Sequence, residues 1–160
     1  MPTILIKDSC TKMTFARVVP NKGVNAYAVR RVAEDVKSLG YKRFILKSDN
    51  EEAIKALKTA VKNESEEEVV MEESPVGDHA SNGMVENASK QVQGQFRSMK
   101  SALEGRYKTQ INGEHQSIPW LMAHAAATIN RRRRDEGGMT AYRRWKGKEF
   151  NRFVVEFGEM

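Results

Sequence analysis

Two strings decide how this chain reads: KSDNEEAI at residues 47–54 and SPVGDHASNGMVENASK at residues 74–90. The first follows an apolar run, Phe44, Ile45 and Leu46, which reads as a buried strand ended by Asp49. The second carries Pro75, Gly77 and Gly83, residues that break regular structure, and then enters an amphipathic helix with Glu86 near its start. A carboxylate at a strand end and another in the first turns of a helix can converge on one metal ion. The ordinary alternatives are strong for each residue alone. Asp49 and Asn50 are good helix caps, and a first-turn Glu is favoured by the helix dipole.

Working outward toward the N-terminus, Thr3 to Ile6 and Met13 to Val19 flank the turn-forming string DSCTK, so residues 3–19 predict an antiparallel hairpin. Pro20, Asn21 and Gly23 end it. Residues 26–39 place Val29, Val32, Ala33, Val36 and Leu39 on one helical face, with Gly40 at the C′ position. A strand over 42–48 and a helix over 51–61 follow, the latter with Ile54, Leu57 and Ala60 or Val61 inward, and a brief strand over 68–71. Toward the C-terminus, Val85, Ser89, Val92, Phe96, Met99 and Leu103 predict a buried stripe on a long helix over about 81–107. Residues 118–132 form another helix with Pro119 in its first turn. Thr140 can cap a short helix through Trp145, and residues 150–157 have strand-like composition. Strands and helices in this order predict an α/β fold, a sheet with flanking helices.

At 160 residues the chain is long enough to bury a core as one domain. Its 39% hydrophobic and 30% charged residues exclude a disordered chain. A net charge of +6 suits a nucleic-acid partner, a signal shared with many unrelated proteins. The sign is unevenly spread: residues 64–78 hold seven acidic residues and no Lys or Arg, reading as a solvated surface tract. The single Cys10 excludes an internal disulfide and any multi-cysteine zinc site. No charged-then-apolar pattern of a leader is read at the start of the sequence, and no apolar run approaches the roughly 18 residues of a membrane span. The expectation is an intracellular protein, of nucleus or cytoplasm, with no membrane partner.

Taken together, KSDNE, SPVGDHASNGMVENA and TAYRRWKGKEF (residues 140–150) resemble the catalytic core of retroviral and retrotransposon integrases, of the ribonuclease H-like superfamily. That family has two Asp and one Glu, the second Asp in a strand-ending T/S-D-N. Its gap to the Glu is closely similar to residues 50–85 here. The resemblance implies a ribonuclease H-like mixed sheet with flanking helices, DNA as partner, and a possible homo-oligomer. It also implies two Mg²⁺ (or Mn²⁺) ions, with Asp49 on one and Glu86 on the other. Such ions clamp both ends of an in-line phosphodiester displacement, the chemistry of DNA integration, and hard cations take carboxylate oxygens. The resemblance places the core at residues 1–149 and the start of a C-terminal extension at 150–160.

TILIKDSCTKMTFARVVP (residues 3–20) is similar to the family's second and third strands. The resemblance therefore implies a chain truncated at its N-terminus, without the central first strand and its Asp. Asp8 falls at the hairpin turn, where turn chemistry accounts for it without a metal. Loss of a central strand predicts unpaired inner edges, and thus a gapped sheet closed by re-pairing or a chain stable only with a partner. Two carboxylates would bind Mg²⁺ weakly, so catalysis is expected to be impaired or absent. The alternative is a non-catalytic nucleic-acid-binding or assembly module derived from a retrotransposon.

On the long helix Glu86, Lys90, Gln93 and Arg97 share one face. The resemblance makes Lys90, Gln93 and Arg97, with Asn82 in the preceding loop, the residues that contact DNA. A solvated face is the plain alternative. The Arg131–Arg134 run reads as a phosphate contact, as a nuclear signal, or as cations that suit a helix end. Trp120, Met122 and Ile129 read as core, and His79 as an exposed loop residue near the site.

Overall fold

The computed structural model describes residues 1–74 and 83–152. They form two compact units, one of Met1–Pro2 with Val19–Glu86 and one of Thr3–Val18 with Asn87–Met160. The architecture is mixed α/β, and among the described residues the four strands make two separate two-stranded sheets.

In the unit that begins at Val19, α1 (Ala26–Ser38) starts at Asn25, whose side chain accepts from the Ala28 N–H. That bond satisfies one of the donors left over at a helix start. Its apolar stripe buries Val29, Val32 and Val36. The helix stops where Gly40 takes φ +79°, a left-handed backbone that Gly adopts without steric cost. Strand β3 (Arg43–Ser48) pairs in parallel with β4 (Glu68–Glu73), Phe44 against Val69 and Ser48 against Glu73. Helix α2 (Glu52–Glu64) is the crossover and packs against α1 and both strands, with Leu57 and Val61 buried.

The run Phe44–Leu46 is not a buried strand. Ile45 is 60% exposed, and Phe44 and Leu46 are only half-buried. Its face alternates apolar with charge: Arg43 pairs with Glu68 at 3.3 Å and Lys47 with Glu72 at 2.8 Å, on either side of Ile45. Parallel strands are ordinarily covered on both faces, whereas here one face lies open to solvent. The acidic tract is likewise engaged, through Lys37–Glu66 and Arg43–Glu68.

The other unit is built on the predicted hairpin, β1 (Thr3–Lys7) antiparallel to β2 (Thr14–Val18). Helix α3 (Gly83–Tyr107) buries Ala88, Val92 and Leu103, while Phe96 and Met99 are half-buried and Val85 is exposed. The predicted stripe is therefore narrower than its spacing implied. Helix α4 (Ile118–Arg132) lies on β2, with Leu121 and Ala125 fully buried. Asn130, itself buried, accepts from the Thr14 N–H at 2.9 Å and donates to the Thr14 carbonyl at 2.7 Å. One amide thus closes both backbone groups of a buried strand residue. Thr140 caps α5 (Ala141–Lys146) by accepting from the Arg143 N–H, and Gly147 ends it at φ +71°. Most of the strand predicted over 150–157 lies outside the described residues.

Candidate nucleic-acid interface

Asp49 follows directly on Ser48, the last residue of β3. Because β3 and β4 are parallel, their carboxyl ends coincide, the place where open α/β sheets present ligand sites. The Ser74 N–H donates to the Ser48 carbonyl at 2.8 Å and the Asn50 side chain donates to the Ser74 carbonyl at 3.0 Å. Asn50 therefore ties the two strand ends together. Neither Asp49 nor Asn50 caps the next helix: Glu51 holds that position, without a side-chain capping bond. The capping explanation of Asp49 is thereby set aside, and its carboxylate is exposed.

Lys58 is the residue that sequence reasoning missed at this end. It is buried on α2, 6% exposed, and its Nζ donates to the Glu72 carbonyl at 2.7 Å. Burial lowers its pKa, while Glu73 and then Asp49 pull it back up. The Lys58 ammonium therefore lies within electrostatic reach of Asp49, and a positive charge there opposes the approach of a second cation. A lysine in a helix ordinarily reads as surface, and only its position one residue after the buried Leu57 hinted otherwise.

Glu86 lies in the first turn of α3 and is exposed, as are Lys90, Gln93 and Arg97 along the same helix. Gln93 donates to the Ser89 hydroxyl at 3.2 Å. The three residues expected to face DNA are thus presented to solvent. Asp49 lies in the unit of Val19–Glu86, and Glu86 is the last residue of that unit, the remainder of α3 from Asn87 onward belonging to the other. Asn82, His79 and the rest of residues 75–82 lie outside the described residues. Among the described residues no group of three or more His, Cys, Asp or Glu side chains is placed to hold a metal ion.

Asp8 sits in the hairpin turn. Its carboxylate accepts from the Thr11 N–H at 2.7 Å and from the Thr11 hydroxyl at 2.5 Å. This is the self-bonding that makes Asp a turn residue, so its placement is explained without a metal.

The four-arginine run divides by role. Arg131 lies over the Phe150 ring at 4.5 Å, and Arg134 donates to the Gly138 carbonyl at 2.7 Å and pairs with Glu149. Arg132 and Arg133 are exposed. Trp120 is not core. It is 74% exposed, whereas Met122 and Ile129 are half-buried against a cluster of Ala16, Val92 and Ala126. Helical spacing alone could not tell these faces apart, because Leu121 next to it takes the fully buried position.

Compared with models of known protein families and with curated proteins, the chain matches none of them. Among the described residues no helix is long and apolar enough to cross a membrane.

Proposed function

We propose that this chain is an integrase-like polynucleotidyl transferase core of ribonuclease H-like type that engages DNA, with its catalysis impaired. The observation that carries the reading is the placement of an exposed Asp49 at the carboxyl end of a parallel strand pair and of an exposed Glu86 in the first turn of a 25-residue helix. Exposed carboxylates suit Mg²⁺ or Mn²⁺, which take hard oxygen donors and retain several waters. Asp49 and Glu86 are the residues that would hold the metal. When bound, divalent ions stabilise the attacking and leaving oxygens of a phosphodiester displacement. The chain's own part is to present those two carboxylates and to lay Lys90, Gln93 and Arg97 along the backbone of a DNA substrate. A site of two carboxylates, with Lys58 held near one of them, favours weak metal binding.

The deciding experiment is thermal unfolding with added Mg²⁺ or Mn²⁺, paired with a strand-transfer assay on oligonucleotide ends. Mn²⁺ should raise the midpoint of the wild-type chain and leave an Asp49→Asn, Glu86→Gln double variant unmoved. No metal-dependent shift, together with no strand transfer even when a strand bearing an Asp is supplied ahead of Met1, would sink the reading.

A second reading, a non-catalytic nucleic-acid-binding module, is favoured by one specific observation. The unit of Thr3–Val18 and Asn87–Met160 holds 17 Lys and Arg against 8 Asp and Glu, and the other unit 10 against 13. Salt-sensitive DNA binding that persists unchanged in the same double variant would select it.

A further inference from the structure

We propose that the groove formed by β2, α4 and α5 binds single-stranded nucleic acid, with an unpaired base stacked on Trp120. The groove has a volume of about 450 Å³. Its floor is made of small residues, Ala16, Ala123, Ala126 and Ala127, which leave space for a planar ring. Trp120 stands at its edge with 74% of its surface in solvent, the largest exposure of any large apolar side chain described. Exposing an indole to water forgoes the stabilisation its burial would bring. A lone exposed apolar residue needs no explanation, but this one borders a groove with aromatic and cationic walls.

Those walls are arranged for a π-faced anionic ligand. Tyr142 and Trp145 meet edge to face, with ring centroids 6.1 Å apart and planes at 85°. Lys146 covers the Trp145 ring at 3.5 Å, so Trp145 supports the wall and Trp120 is the ring available for stacking. Arg17 from β2 and Arg131 from α4 line the same groove, and among the described residues no acidic one does. Residues 131–149 add eight Lys and Arg against three Asp and Glu, so the groove opens beside the most basic stretch of the chain. His124, also in the lining, has its pKa lowered by burial and then by Arg131, which favours the neutral imidazole.

Charge decides the occupant. A second copy of this chain docking by the same face would bring two cation-lined grooves together, like charge toward like charge. A phosphodiester strand brings negative charge and unpaired bases together, and base–aromatic stacking with a cationic rim is how sequence-tolerant single-strand binding works. A duplex conceals its base faces and cannot use Trp120 in this way. The inference stands on this unit alone and does not depend on Asp49 or Glu86.

The test uses the full chain and a fluorescein-labelled oligothymidylate, followed by anisotropy, with a hairpin duplex as the comparison probe. Trp120→Ala should weaken oligothymidylate binding about tenfold, the usual order for loss of one stacked base. Trp120→Phe should keep most of it, and Tyr107→Ala, another exposed aromatic of the same unit, should change nothing. Duplex binding should fall far less in Trp120→Ala. Lys62→Glu, on α2 of the other unit, should bind oligothymidylate as the parent does. Unchanged oligothymidylate affinity in Trp120→Ala, with circular dichroism confirming the fold, overturns the proposal. So does loss of a concentration-dependent dimer in Trp120→Ala without loss of nucleic-acid binding, which would assign the groove to a second copy.

Discussion

The two units are opposite in charge. The one containing β3, α2 and β4 carries net −3, and the one containing the hairpin, α4 and α5 carries net +9. In the first, cations are engaged in ion pairs across exposed surfaces: Lys22 with Glu51, Lys37 with Glu66, Lys47 with Glu72 and Lys55 with Glu73. In the second, a strand is pinned to a helix by a buried amide and by Leu121 and Ala126 beneath it. Exposed pairs contribute little to stability, while buried packing and satisfied buried amides contribute much. The first unit thus sets its cations against its own carboxylates, while the second carries a large excess of positive charge.

The sharpest way to break the comparison is in the basic unit's core. Leu121→Ala should destabilise that unit by about 3 kcal/mol, read from chemical denaturation, since a fully buried leucine is replaced by a cavity. Asn130→Ala should cost about 2 kcal/mol, because it strands the N–H and carbonyl of buried Thr14. Amide exchange at Thr14 should accelerate with it. If either variant unfolds with the parent's midpoint, the account of how this unit is held is wrong.

Charge supplies the middle of the scale. Arg132→Glu with Arg133→Glu should lower the slope of log affinity against log salt for DNA by about 1 per cation removed. Lys62→Glu on α2 should leave that slope unchanged. Equal effects from both units would erase the proposed division of labour. Lys47→Met should shift stability by only tenths of a kcal/mol, the usual worth of an exposed pair.

The smallest effect concerns pH. His124 has its pKa lowered in the folded state by burial and then by Arg131. The unfolded chain therefore binds more protons over the window just below the imidazole's ordinary value of about 6.5. Stability rises with pH across that window and is lost as pH falls through it. His124→Gln should flatten this segment of the stability–pH curve, measured by thermal unfolding between neutral and mildly acidic buffers.

Much of the fold was legible in the residues. The hairpin followed from two apolar runs around DSCTK, and the residue 118–132 helix from Pro119 and its periodicity, because such signals are local. Asp49 and Glu86 were legible as a strand end and a helix start for the same reason. The errors share a cause. Phe44-Ile45-Leu46 reads as buried only if both faces of its strand are covered, and one is not. Trp120 and Leu121 are adjacent on one helix, and which of them faces inward depends on where β2 lies. Lys58 reads as surface until the carbonyl of Glu72 on a neighbouring strand gives its ammonium a partner.

What the amino-acid order determined by itself is the set of elements and their ends: Asn25 and Thr140 as caps, Gly40 and Gly147 in left-handed turns, Asp8 closing its hairpin on Thr11. Each is settled by groups within a few residues, where chain connectivity supplies proximity. Tertiary structure alone decided which faces are covered, that the strands form two pairs, and that Asn130 would bond Thr14 across 116 positions of sequence. Burial and long-range hydrogen bonding depend on elements that sequence distance does not bring together. They set which of the chain's charges and rings remain exposed for a ligand.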